Sequence, residues 1–267
     1  MEKLQCNKLI MKQKTGTYSF VVEPYLCDLN GKATLSMLGN FMLKAAATHA
    51  NDRGFGYDAM MAIEKAWVLS RLNVQINKYP TIYETISVQT WIEDVSKIFT
   101  QRCFALINEG GEEIGYGRSV WAAIDIKTRR AVNLAEMDNS ILDHIETERQ
   151  IPLKKMGKIA NTTSEPVYLY TPKYSDIDIN RHFNSIKYIE HFLDLFEIDV
   201  HKNKFVHEFE IAFLSEALPK NKLSFHKEET GDGCFLLELK NSEKDESVCR
   251  ASVQFCENST KPANSSR

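Results

Sequence analysis

Asp178, Asn180 and His182 sit two residues apart and are the densest group of chemically useful side chains in this sequence. A carboxylate, an amide and an imidazole can between them hold and deprotonate a water, polarise a carbonyl and hand a proton to a leaving group. The triplet lies just before a helical pattern. If the segment is extended, alternate side chains share one side and all three face the same space. The unpaired N–H groups of the helix start then offer a place for a developing oxyanion. Such chemistry calls for no metal and no organic cofactor.

Other readings of these residues exist. Asp and Asn are common turn formers, and one His among seven is more often a surface or core residue than a catalyst. The elements around the triplet therefore have to be read first.

Those elements occur twice. Residues 28–34 read D-L-N-G-K-A-T and residues 178–184 read D-I-N-R-H-F-N. In the first copy Leu35, Leu38, Met42 and Ala45 follow at spacings of three and four, with Phe41 beside them. In the second, Ile186, Ile189, Leu193 and Phe196 do the same, with Phe192 beside them. Thr34 and Asn184 suit the caps of these two helices.

Strands then follow. Leu72, Val74 and Ile76 alternate with polar residues, and Pro80 precedes a strand holding Ile86 and Val88. Phe209, Ile211 and Phe213 repeat the pattern, with Pro219 before a strand near Leu223 and Phe225. The copies are 150 residues apart at the Asp-x-Asn element (28 to 178) and 139 apart at the prolines (80 to 219). The first half thus has extra chain around Ala50 to Ala66. Further strands are expected at 99–107, 114–126, 234–240 and 247–255, with hairpin turns at Gly110-Gly111 and Gly231-Asp232-Gly233.

Each half reads as one long helix followed by an antiparallel meander. The helices are apolar around much of their circumference, as befits a helix wrapped by a curved sheet. That describes an α+β protein with two hot-dog folds in tandem. The expected boundaries are an N-terminal hot-dog domain at 1–140, a linker at 141–164, a C-terminal hot-dog domain carrying the site at 165–257, and a disordered tail at 258–267.

Composition narrows the class. The chain has 267 residues, 43% hydrophobic and 26% charged, with net charge −3, so no global positive field favours nucleic acid or an anionic membrane. Its six cysteines form no C-x-x-C pair and no zinc spacing, which suggests reduced, mostly buried thiols. Residues 1–14 lack a signal-peptide core, and no run approaches a membrane span. Without secretion, the N-x-S/T patterns at Asn161 and Asn258 have no glycosylation meaning. The expectation is a soluble cytoplasmic protein without stable membrane insertion.

Residues 66–91, A-W-V-L-S-R-L-N-V-Q-I-N-K-Y-P-T-I-Y-E-T-I-S-V-Q-T-W, closely resemble a segment of the acyl-acyl-carrier-protein thioesterases of plant plastids and bacteria. Residues 176–190, D-I-D-I-N-R-H-F-N-S-I-K-Y-I-E, resemble that family's active-site region, and the likeness runs over roughly 16–256. The resemblance implies a double hot-dog fold, hydrolysis of fatty acyl-ACP thioesters, and catalytic roles for Asp178, Asn180 and His182. It implies a further catalytic role for Glu216, in F-L-S-E-A-L-P, and a chain-length pocket formed largely by the first half. Plant members typically place a cysteine directly after that glutamate. Ala217 stands here, so a Cys–His nucleophile cannot operate at this position. The missing transit peptide suggests a bacterial-type member.

On this reading Glu216 activates a water, Asp178 and Asn180 orient and polarise, and His182 positions the water, polarises the carbonyl or protonates the thiolate. The first half carries Lys32 where the second carries His182, which suggests one site rather than two. Trp67, Trp91 and Trp121 are expected in the core rather than against an acyl chain. The run Lys127, Arg129, Arg130 reads as a solvated turn, or alternatively as a landing surface for an acidic carrier protein.

The expected partner is acyl carrier protein bearing a fatty acyl chain, the protein itself being a monomer or homodimer. The rivals are an acyl-CoA thioesterase, a 3-hydroxyacyl-thioester dehydratase and a non-catalytic acyl-binding module.

Overall fold

The computed structural model describes residues 13–137 and 139–258. The expected disorder of 258–267 lies, apart from Asn258, outside the described residues.

Each helix is set by its cap and its apolar stripe. Helix α1 (Leu35–Asp52) starts where Thr34 Oγ1 accepts the Met37 N–H, and its buried side includes Leu38, Phe41, Met42, Ala45 and His49. Helix α3 (Ser185–Leu193) starts where Asn184 Oδ1 accepts the Ile186 N–H, and it buries Ile186, Tyr188, Ile189 and Phe192. The two helices touch at Gly39, where an added Cβ would lie 3.0 Å from Ile186 Cδ1, so the missing side chain permits the close approach. The extra chain of the first half forms helix α2 (Tyr57–Ala62), and α4 (Ile198–Asn203) follows α3.

The second long helix is shorter than its periodicity implies. It ends at Leu193, and Phe196 lies beyond it, packed edge-on against Phe235 and Phe255 at 4.9 and 4.8 Å. The apolar spacing continues because the loop fills the core, not because the helix does.

The ten strands of the described residues join one antiparallel sheet, in the order β1-β3-β4-β5-β2-β7-β10-β9-β8-β6. In the first half these are β1 (Gly16–Val21), β2 (Lys65–Ile76), β3 (Thr85–Val95), β4 (Phe99–Ile107) and β5 (Glu113–Asp125). In the second they are β6 (Pro166–Tyr170), β7 (Lys204–Phe213), β8 (Leu223–Gly231), β9 (Cys234–Asn241) and β10 (Glu246–Glu257). A simple meander is therefore only part of each half. The first strand after each helix crosses to the centre, and β2 pairs there with β7 through Leu72↔Ile211 and Val74↔Phe209. Period-two alternation locates such a strand but carries no information on its neighbour.

One face of the sheet, with Leu72, Val74, Ile76, Phe209 and Ile211, encloses α1 and α3 in a single core. Each fully buried ring such as Phe209 stabilises by about 1.5–3 kcal/mol through the water it sheds. The other face buries Trp91, Cys103 and Ala105 under Ile151 and Leu153 of the connecting segment. Arg149 stacks on the Trp91 ring at 4.2 Å, and Arg118 donates to Glu93 at 2.8 Å and to the Leu153 carbonyl at 2.9 Å. Glu238, fully buried, accepts from the Thr162 N–H and Oγ1, each at 2.9 Å, and from Arg250 Nε at 2.9 Å. The segment between the halves is thus strapped to the sheet along its length.

Candidate active site

The Asp178–His182 segment is a closed turn rather than an extended run. The Asp178 N–H donates to the His182 carbonyl at 2.9 Å, and the Arg181 N–H donates to the Asp178 carbonyl at 3.0 Å. Asp178 Oδ1 accepts from the backbone N–H groups of Asn180 (2.8 Å) and His182 (3.1 Å). The three side chains accordingly do not line up on one strand face; Ile179 between them is 87% exposed at the turn tip.

The first half builds the same turn. Asp28 Oδ1 accepts from Asn30 N (2.8 Å) and Lys32 N (3.1 Å), and Gly31 takes the left-handed φ of 71° that Arg181 takes at 65°. An arginine in that conformation is held there by the turn's bonds, since glycine is the residue that prefers it. Asp178 therefore builds the loop, as Asp28 does in a turn that carries Lys32 in place of an imidazole.

Glu216 reaches the turn from the loop after β7. The Phe183 N–H donates to the Ala217 carbonyl at 2.9 Å, which fastens that loop against the turn. His182 Nε2 then lies 3.3 Å from Glu216 Oε2. The other carboxylate oxygen, Oε1, is held by the Arg129 guanidinium. His182 is one-quarter exposed and Glu216 43% exposed, so water and substrate can reach both. Ala217 is fully buried, so a side chain at that position points into the core rather than toward His182.

The start of α3 is a poorer anion site than its sequence suggests, because Asn184 Oδ1 already takes the Ile186 N–H. The side-chain amide of Asn180 is better placed. It makes only a long 3.5 Å contact with Asp178 and borders a cavity of about 210 Å³. Leu43, Ala46, Ala50, Phe55, Met60 and Trp67 line that cavity, so α2 and the extra chain of the first half form much of its wall. Trp67 and Trp121 both face it, whereas Trp91 is packed on the opposite side of the sheet. Trp67 and Trp121 pack against the core as expected and also border the cavity, a second role the sequence does not mark.

Arg102 also borders the cavity. It is buried and bonded to His49 Nδ1 (3.1 Å) and Thr90 Oγ1 (3.2 Å). Burial first, and then the Arg102 charge, hold His49 down to a pKa of about 3, so it is neutral at ordinary pH.

The corresponding place in the first-half turn is spent on structure. Asn30 Nδ2 donates to the His201 carbonyl at 2.8 Å, and Lys32 Nζ to Asn258 Oδ1 at 3.2 Å. The Ala33 N–H bonds the Pro80 carbonyl as Phe183 bonds Ala217. Pro80 therefore matches Ala217, two residues before the Pro219 with which sequence alone pairs it. Glu216 consequently matches Tyr79, whose hydroxyl is bonded to the Val206 carbonyl at 2.9 Å. Lysine and tyrosine stand where the second half has imidazole and carboxylate.

Among the described residues the buried thiols, Cys103 and Cys249, are not candidate nucleophiles. Burial pushes Cys103 up to about 12 and Cys249 well above its ordinary range. Sequence reading missed Arg129 as a member of the site. It recognised the basic run, but nothing in that run names a partner 87 positions away.

Two long helices held in one antiparallel sheet, with the His182–Glu216 pair at the turn of the second half, define a tandem hot-dog protein. The chain belongs to the acyl-ACP thioesterase family: residues 13–142 match its N-terminal domain and residues 159–257 its C-terminal domain. An acyl-ACP thioesterase from Bacteroides thetaiotaomicron is 44% identical, with TM-score 0.85 over 91% of this chain and 98% of that one. The 12:0-ACP thioesterase of Umbellularia californica shares the fold at 20% identity, with TM-score 0.79 over 92% and 98% of the two chains. The chloroplastic oleoyl-ACP thioesterase 2 of Arabidopsis thaliana is 25% identical over 77% of this chain, which spans 61% of that protein's length. Among the described residues no helix is long and apolar enough to cross a membrane.

Proposed function

We propose that this protein hydrolyses fatty acyl-ACP thioesters to free fatty acid and carrier protein. The observation that carries the reading is the His182–Glu216 pair standing near Asn180, which borders an apolar cavity. A thioester carbonyl is already electrophilic, so a held and activated water suffices for attack. Glu216 takes the proton from that water. The Asn180 amide stabilises the oxygen that becomes negative, and His182 lies within reach to protonate the departing thiolate. Asp178 supports these groups through the turn. The cytoplasm is the proposed compartment, in line with the bacterial relative.

Carrier preference is tested by kinetics with one acyl group on the two carriers. A higher kcat/KM on acyl-ACP than on acyl-CoA is expected, and a much faster CoA reaction would reassign the substrate.

The acyl chain occupies the cavity beside α1, and chain length is set by how deep that cavity runs. Ala46→Phe places a ring in it and should shift the release profile toward shorter saturated chains. The readout is product length from carriers of increasing chain length. An unchanged profile would place the chain elsewhere.

A further inference from the structure

Arg129 belongs to the first half and Glu216 to the second, yet the guanidinium of one grips the carboxylate of the other. We propose that Arg129 is a positioning residue of the reaction centre: it holds Glu216 Oε1 so that Oε2 stays turned toward His182 and the attacking water. This rests on Glu216 being the base for water.

The turn that carries Arg129 is built for placement. Asp125 Oδ1 accepts from Lys127 N (3.0 Å), Thr128 N (2.8 Å) and Thr128 Oγ1 (3.0 Å), while Oδ2 accepts from Lys65 Nζ at 2.5 Å. The Arg129 N–H donates to the Asp125 carbonyl, and the Asp125 N–H to the Arg130 carbonyl, both at 2.9 Å. Inside this closed hairpin Arg129 adopts φ 59°, the left-handed region that favours glycine. The turn would form more easily with glycine, so the side chain is the reason for an arginine there.

A carboxylate more than two-fifths exposed on a loop has many rotamers open to it. The guanidinium on one oxygen and the imidazole near the other restrict them. The charge run thus separates: Lys127 pairs with Glu64 at 2.5 Å away from the site, whereas Arg129 points into it. The reaction centre is thereby assembled from both halves.

The test is kinetic, on the full chain with acyl-ACP. Arg129→Gly removes the guanidinium and suits the backbone. It should lower kcat about 10-fold or more with KM changed less than about 2-fold. Methylguanidinium in solution should restore part of the lost rate, and Arg129→Lys should restore less. In a Glu216→Gln background the same change should cost less than about 2-fold, because the group it orients is gone.

A loss confined to KM would make Arg129 a carrier-docking residue and overturn the proposal. An equal loss of kcat in both backgrounds would mark a merely structural turn and overturn it too. Full activity of Arg129→Gly beside an inactive Glu216→Gln defeats this inference alone. Full activity of both defeats the base reading along with it.

Discussion

Glu216→Gln should lower kcat by about 10²-fold or more with little change in KM, because the amide keeps the shape and loses the ability to accept a proton. The grip of Arg129 on Oε1 turns the other oxygen of this carboxylate, 3.3 Å from His182, toward the accessible side of the pair. Asp178 Oδ1 already accepts two backbone N–H groups that close the turn.

His182→Ala should show a loss of similar size. The double variant should be little worse than either single one, since groups that serve one reaction centre do not contribute independently. Steady-state release of free thiol from saturated acyl-ACP, alongside circular dichroism to establish folding, is the measurement. Thiol release from saturated chains also separates hydrolysis from dehydratase chemistry, which needs a 3-hydroxyl group. Near-wild-type rates in both single variants would remove the proposed centre.

The largest stability effect is expected at Glu238. This carboxylate is fully buried and bonded by Thr162, Ser247 and Arg250. Glu238→Ala leaves the Arg250 guanidinium and several donors without their partner, a change that typically costs about 3–5 kcal/mol. For a chain of this size that corresponds to a fall in Tm of roughly 10 °C. It also frees Thr162, so the connecting segment should become the first point of proteolytic cleavage.

The pH dependence at this residue has a definite sign. Burial pushes the Glu238 carboxyl up, but the bonds from Ser247, Arg250 and Thr162 outweigh it and hold the group below the ordinary range. A carboxyl depressed in the folded state contributes its full stability above the unfolded value of about 4.3 and loses it as the pH falls through the folded value. Urea midpoints should therefore drop steeply below about pH 4 in the native chain and more gently in Glu238→Gln. Parallel slopes in the two proteins would assign the acid sensitivity to other carboxylates.

The duplicated turn was legible in the sequence because its residues act locally. Asp28 and Asp178 each bond N–H groups two and four positions ahead, and the helices begin at the caps the sequence marks. What depends on distant partners was not legible. The crossing of β2 to β7, the end of α3 before Phe196 and the contact of Arg129 with Glu216 arise only when segments far apart in the chain meet. The triplet illustrates both. Its position before a helix was apparent, but its three side chains have different duties because the backbone turns instead of extending.

The seam between β2 and β7 also changes what substitution can do to this molecule. In a pair of identical hot-dog chains every amino-acid change appears at two symmetric places at once. Here the two halves are one polypeptide, joined edge to edge through Leu72↔Ile211 and its neighbours. Lysine and tyrosine stand at 32 and 79, bonded to Asn258 and Val206, where the other half has histidine and glutamate at 182 and 216. Within one polypeptide the two crevices need not share residues, so a change in one leaves the other as it is.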